Sequence, residues 1–335
     1  MPNRNLGIAA VVVLLALALL PLAGSRYSVD LATQVLIYCL FALSLNVLIG
    51  YTGNISFGHA AYFAIGGYAC AVLLTTYHWP LVLALPAAVA ISGLSAAVIG
   101  YFCVRLTQIY FAMLTLAFAM LVWGIAFHLK AMPQTSMAKA MLVWGIAFKW
   151  KDVTGGDDGF TGVAVPALLE GHVNYYYFTL AMVALGVGLL WMICHSAFGL
   201  TLVAIRENAV RAGFIGVDTS KMRWASFTVA GTFAGLAGAL FGMYNRGMYI
   251  ENAFWTESAQ VMIMVLLGGI YSFVGPLIGA AVLYLLQVVT NQYTPYWPTV
   301  LGLILLVVVL VLPDGLVGLA KRVGSKGARA KGSHS

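Results

Sequence analysis

Residues 198–223 read FGLTLVAIRENAVRAGFIGVDTSKMR, the one long polar break inside an otherwise apolar chain. Four of the 17 Lys and Arg residues stand here (Arg206, Arg211, Lys221 and Arg223), between two strongly hydrophobic runs. Helical spacing puts Leu202, Ile205, Ala209 and Ala212 on one face, and Arg206, Glu207, Asn208 and Arg211 largely on the other. Glu207 and Arg211 fall at the stabilising i, i+4 separation. The stretch is expected to form one short amphipathic helix, closed by Gly213 and Gly216, on the side of a membrane that lysine and arginine prefer. An ordinary basic loop would give the same charge count. The compact, two-signed helix points instead to a docking surface.

Composition sets the class. The chain is 62% hydrophobic and only 8% charged, with a mean hydropathy of +0.96. Water-soluble domains carry about a quarter of their residues as charges, so that class is excluded. The net charge of +7 lies at the ends of apolar runs and in the tail. It therefore reads as membrane orientation, and no nucleic-acid partner is expected. Cys39, Cys70, Cys103 and Cys194 lie in or beside apolar runs without metal-like or redox-like spacing. They are expected to be small packing residues, with no disulfide and no metal.

The expected fold is an all-α polytopic membrane protein with about ten membrane segments. Runs near the roughly 20 residues needed to cross a bilayer are 6–24, 31–50, 60–76, 81–104, 109–128, 173–195, 224–244, 259–271, 274–291 and 298–317. The segments at 259–271 and 274–291 are short or interrupted by Gly and Pro, and are candidate half-crossings, tolerated only inside protein. Residues 1–24 carry Arg4, an apolar core and a small-residue end. That pattern fits a signal peptide or a retained anchor helix, and the anchor suits the charge bias better. The permease-like body runs over 31–319 and a basic tail over 320–335.

Lysine and arginine give the orientation. Lys321, Arg322, Lys326, Arg329 and Lys331 put the tail in the cytoplasm with the 198–223 helix. Counting back places 152–172 outside and Arg105 and Arg4 inside, so both termini are expected to be cytoplasmic. The outer loop holds Asp152, Asp157, Asp158 and Glu170 against Lys151 alone. One irregularity intrudes. AMLVWGIAF at 119–127 recurs unchanged at 140–148, a local tandem duplication that makes 130–150 an insert. The second copy is too short to span, and parity places it as an interfacial helix outside, although Lys130, Lys139, Lys149 and Lys151 around it run against the charge rule.

Two glycine-rich breaks share Ser-Phe beside glycine: GYTGNISFGHA at 50–60 and GGIYSFVGPLIGA at 268–280. Each is either a tight turn between antiparallel helices or an unwound stretch exposing backbone polar groups to a passing solute. On the second reading, a translocation pathway would be lined by Gly53, Asn54, Ser56, Phe57, Gly58, His59, Gly268, Gly269 and Ser272. Both breaks are expected near the cytoplasmic face. His59, alone beside a break, reads as a packing or capping group before a proton relay. Gly231, Gly235, Gly238 and Gly242 form a ladder on one helical face that lets another helix approach closely, within the chain or in a partner.

No phosphate loop, HExxH, CxxC or GxSxG occurs, so no enzyme chemistry is expected. Asp30, Asp218, Glu251 and Glu257 are expected in loops, leaving no run of intramembrane carboxylates for a proton-driven carrier.

Several separated blocks then resemble one family: LNVLIGYTGNISFGHAAYFAIGGY, AIREN after FGLTLV, FAGLAGALFG, VMIMVLLGGIYSFVGPLIGA and LPDGLVGL. Together they resemble the permease subunit of the branched-chain amino acid ABC importers, most of all its M-type form in the high-affinity leucine/isoleucine/valine system. The resemblance runs over about 31–319. It implies an ABC-importer permease fold in a bacterial inner membrane, surrounded by lipid. It further implies a pore shared with a sister H-type permease, two ATP-binding subunits holding ATP and Mg, and a periplasmic amino-acid-binding protein, with no cofactor on this chain. Ala204, Arg206, Glu207, Asn208 and Arg211 would belong to the coupling helix that seats in the ATPase. Phe160–Gly162 matches the family's outer loop. The duplicated insert just before it departs from the family pattern. Competing readings are the same architecture with urea or short-chain amides as solute, a stand-alone secondary carrier, and a membrane scaffold.

Overall fold

The computed structural model describes residues 4–23, 25–104, 108–128, 160–163, 165–166, 169–293, 302 and 315–318. Helices follow one another: α1 Arg4–Ala23, α2 Arg26–Asn46, α3 His59–Thr75, α4 Leu81–Cys103, α5 Gln108–His128, α6 His172–His195, α7 Ala197–Phe214, α8 Thr219–Tyr244, α9 Trp255–Gly268 and α10 Gly275–Tyr293. A π-helical turn, Val47–Thr52, prolongs α2, and a 3-10 turn, Ile250–Ala253, precedes α9. In hydrocarbon every backbone amide needs a partner within its own segment, which is why apolar runs of this length become helices. α2 with its π turn, α4, α6 and α8 are each long and apolar enough to span a bilayer. The all-α polytopic architecture is as expected.

The one ladder among the described residues is two residues long. β1 Phe160–Thr161 pairs antiparallel with β2 Gly247–Met248, Phe160 opposite Met248. It lies at the end of the bundle where the His172 Nδ1 atom meets the Asp30 carboxylate at 2.9 Å. The helix α7 lies at the other end, since α2 and α6 both run between the two.

The glycine ladder is used within the chain. Gly231, Gly235, Gly238 and Gly242 are all buried on α8. A Cβ would collide with Ala96 from Gly231, with Ser92 from Gly235 and with the Phe63 carbonyl from Gly238, while Gly242 lies beside the Gly67 carbonyl. Gly66 on α3 presses just as closely on Gly235. Hydroxyls tie the seam together. Ser92, midway along α4, shares its one hydroxyl proton between the carbonyls of Tyr62 (2.9 Å) and Gly231 (3.0 Å). Tyr175 donates to Leu240 (2.6 Å), and Tyr176 donates to Leu17 (2.7 Å), holding α6 to α8 and α1. The four cysteines are free and buried.

Several expectations change. Residues 60–76 were expected to cross as one span, but α3 begins halfway into the bundle, because Tyr62 already stands level with the midpoint of α4. α9 starts at the same depth: the Ala60 amide donates to Ser258 Oγ at 2.8 Å. The half-crossing expected around 259–271 is therefore there. The segment at 274–291 forms one uninterrupted helix, α10, of 19 residues. Asp30 lies in α2 and Glu257 in the first turn of α9, and neither is in a loop. The second copy of the duplication, the span at 298–317 apart from a few residues, and the basic tail lie outside the described residues.

Candidate functional site

Three features converge at the α7 end of the bundle: the π turn after α2, the glycine break before α10, and Arg206. The backbone of α7 departs from helical geometry at Asn208 (φ −160°, ψ 99°). Two segments therefore replace the single amphipathic helix. Asn208 Oδ1 accepts from the Arg211 amide at 2.9 Å, so the residue caps the second segment as a helix-starting asparagine does. The first segment buries Leu202 and Ile205, and the second buries Ala212.

Arg206 does not face outward with Glu207 and Arg211. Its side chain is only 21% exposed, and Nη1 donates to the main-chain carbonyl of Gly50. Its guanidinium also lies 4.9 Å from the centre of the Tyr271 ring. Glu207 Oε1 closes the fork, accepting from Nη2 at 2.7 Å and from Nε at 3.2 Å. The expected Glu207–Arg211 pair is thus replaced by Arg206–Glu207, since the break at Asn208 destroys i, i+4 geometry across it. A carbonyl in a π turn is a natural target, because an extra residue per turn disturbs the regular ladder.

The two breaks meet around this guanidinium. Asn46 Nδ2 donates to the Ser272 carbonyl at 3.4 Å. Gly50 leaves no room for a Cβ beside the Ile270 carbonyl. Gly269, at φ +111°, and Gly53, at φ +75°, take left-handed conformations that suit glycine. Gly268 packs backbone to backbone on Gly275 and Gly279, and Ser272 Oγ caps α10 by accepting from the Gly275 amide at 2.8 Å.

From Gly53 the chain climbs back into the bundle. Asn54, Ser56 and Gly58 are buried while Ile55 is exposed. The Phe57 amide donates to Thr115 Oγ1 of α5 at 3.3 Å. His59 opens α3, stacks on Phe41 with 5.4 Å between ring centres, and meets Ser44 Oγ through Nε2 at 2.8 Å. The sequence-based pathway residues thus fall into two groups. Gly53, Asn54, Ser56, Phe57, Gly58 and His59 line one rising segment, and Gly268, Gly269 and Ser272 lie below it, next to Arg206.

Around α7 the exposed surface is more apolar than expected. Ala204, Glu207, Asn208 and Arg211 are exposed, as are Val210 and above all Phe214 (87%) and Ile215 (78%). The sequence reading missed these three. The signal was an aromatic residue four positions beyond Val210, on the face read as polar. Asp218 closes the region, capping α8 by accepting from the Lys221 amide at 3.0 Å. That hydrogen bond, with the Lys221 side chain, holds its carboxyl below the usual range.

Comparison with known proteins identifies the family. Residues 27–312 match the family described as branched-chain amino acid transport system, permease component. The chain is 27% identical over 343 residues to the high-affinity branched-chain amino acid transport system permease protein LivM of Salmonella typhimurium, covering 94% of this chain and 76% of that one. LivM of Escherichia coli is 27% identical over 353 residues, covering 97% and 78%. LivH of Escherichia coli is 24% identical over 294 residues, covering 84% and 91%. No solved structure matches.

Proposed function

This chain belongs to the family of branched-chain amino acid transport permeases, and on that premise we propose that it is the M-type half of an ATP-driven importer for leucine-sized branched-chain amino acids. It is a multi-pass membrane protein, in this reading of a bacterial inner membrane with both termini cytoplasmic. It works beside a sister H-type permease, receives solute from a periplasmic binding protein, and catalyses no reaction itself. ATP and Mg belong to two ATP-binding subunits seated against α7, where Ala204, Glu207, Asn208, Val210, Arg211, Phe214 and Ile215 form the contact.

The observation that carries the reading is the link through Arg206. A rigid push on α7 reaches Gly50 through a charged hydrogen bond and Tyr271 through a ring contact. Both glycine breaks are thereby moved by one side chain. Small displacements at such a joint become domain-scale tilting because packed helices switch between discrete arrangements. The pathway residues Gly53, Asn54, Ser56, Phe57, Gly58, His59, Gly268, Gly269 and Ser272 then change their packing together.

The test is uptake of radiolabelled leucine into proteoliposomes holding the complete transporter and the binding protein. Uptake should need ATP, survive a protonophore, and be competed by isoleucine and valine but not by urea. Uptake that follows an imposed proton gradient without ATP would sink the reading.

A further inference from the structure

The first turn of α3 is a helix start in the middle of the bundle with no charge of its own to offset it, and among the described residues only its Ala60 amide is capped from another helix, by Ser258 Oγ. Its N-cap is Gly58, which has no side chain to offer, and no acidic residue stands in its first turn. The neighbouring start of α9 differs, since it carries Glu257 in its first turn. Helix starts concentrate partial positive charge, and inside a bundle no bulk water compensates it.

Two side chains at this place lack partners. Among the described residues, Ser56 Oγ and His59 Nδ1 are buried without a hydrogen bond. Both residues are fully buried. The proton count fixes what His59 offers. The single hydroxyl proton of Ser44 is committed to the Phe41 carbonyl at 2.7 Å. With the Ser44 proton assigned to that carbonyl, the His59 Nε2 atom, 2.8 Å from the same oxygen, is assigned as the donor of this pair. A second proton on Nδ1 would bury a full charge at the positive end of a helix. Nδ1 is thus a bare acceptor, while Ser56 still has a hydroxyl proton to give.

We propose that the start of α3 is a mid-membrane station for the head group of a zwitterionic amino acid. The carboxylate faces the helix start and the Ser56 hydroxyl, and the ammonium donates to His59 Nδ1. This rests on the permease reading above and adds the chemistry that the pathway recognises. In the conformation described here the station is packed shut. Gly53 and Gly58 bracket the segment that closes it, and the partnerless atoms find their partners when that segment moves.

The test separates the two ring nitrogens. An asparagine side chain reaches the place of Nδ1, and a glutamine that of Nε2. The complete transporter in proteoliposomes, with saturating binding protein, is compared as wild type, His59→Asn, His59→Gln and Ser56→Ala. Leucine uptake should stay within about threefold of wild type in H59N and fall by about tenfold or more in H59Q and S56A, with binding-protein-stimulated ATP hydrolysis within about twofold throughout. Uptake kept in H59Q and lost in H59N would mean that only the Ser44 bond matters, and would overturn the station. Uptake unchanged in all three variants would mean that the atoms hold water alone, and would overturn it too. A joint loss of uptake and ATP hydrolysis would mark a structural role and likewise overturn it. A wild-type complex that imports no leucine would remove the permease reading itself.

Discussion

The Arg206 guanidinium donates to the main-chain carbonyl of Gly50, a partner 156 positions earlier in the chain. The contact ties a surface helix to the π turn that ends α2, and the same guanidinium rests on Tyr271 of the second break. A hydrogen bond to a charged group is worth about 1.5–3 kcal/mol. Arg206→Met should therefore leave the complex assembled but lower transport-coupled ATP hydrolysis roughly 10- to 100-fold, if the bond is made in only one transport state. Arg206→Lys keeps the charge without the planar fork and should fall in between. Assembly is read by co-purification and coupling by ATPase stimulation. Full coupling in R206M would show that the link is idle.

Phe214, 87% exposed at the end of α7, is the strongest apolar anchor on that surface. Aromatic anchors at interface centres contribute about 2 kcal/mol or more, which is roughly thirtyfold in affinity. Phe214→Ala should weaken association of the ATP-binding subunits by that order, measured by titrating them onto the permease pair in detergent. The span bundle itself should keep its melting temperature, since Phe214 is not part of its core. Unweakened association would place the docking surface elsewhere.

Asn208 supplies the cap where α7 breaks. Asn208→Ala removes the acceptor and favours a continuous helix; loss of such a cap costs about 1 kcal/mol. Straightening would swing Val210, Arg211 and Phe214 around the axis relative to Arg206. ATPase coupling should drop, while Asn208→Asp, which keeps the acceptor, should retain it. Equal behaviour of the two variants in a coupled ATPase assay would dismiss the break as incidental.

Gly238 touches the Phe63 carbonyl backbone to backbone, whereas nothing lies within 4 Å of where a Cβ on Gly213 would stand. Gly238→Ala should force α3 off α8 at a cost of about 1–3 kcal/mol or more, seen as loss of folded yield and melting temperature in detergent. Gly213→Ala, on the exposed second segment of α7, should instead gain up to about 1 kcal/mol by restricting the unfolded chain. A tolerated G238A would mean that the seam between α3 and α8 is looser than drawn.

How much of this was legible in the sequence depends on the range of the interaction. The spans, the ladder of Gly231, Gly235, Gly238 and Gly242, and the polar break at 198–223 are local patterns. A run of apolar residues has no option in hydrocarbon but to satisfy its amides as a helix, and a 4-3-4 glycine spacing marks one face whatever packs there. The family resemblance was legible for the same reason, being spread over separated local blocks. The half-depth start of α3 was not. His59–Thr75 is apolar enough for a span, and only Ser92, Ser44 and Ser258, from three other helices, reveal where it begins.

The chain alone therefore determined that this protein is a bundle of membrane helices with a charged knuckle between two of them, because burial of apolar length is decided residue by residue. Tertiary structure alone decided which way the knuckle's charges point. Helical periodicity assigned Arg206 to the outer face with Arg211, yet a cation turns toward the strongest unsatisfied acceptor within reach. That acceptor, the Gly50 carbonyl in the π turn, is brought there only by folding.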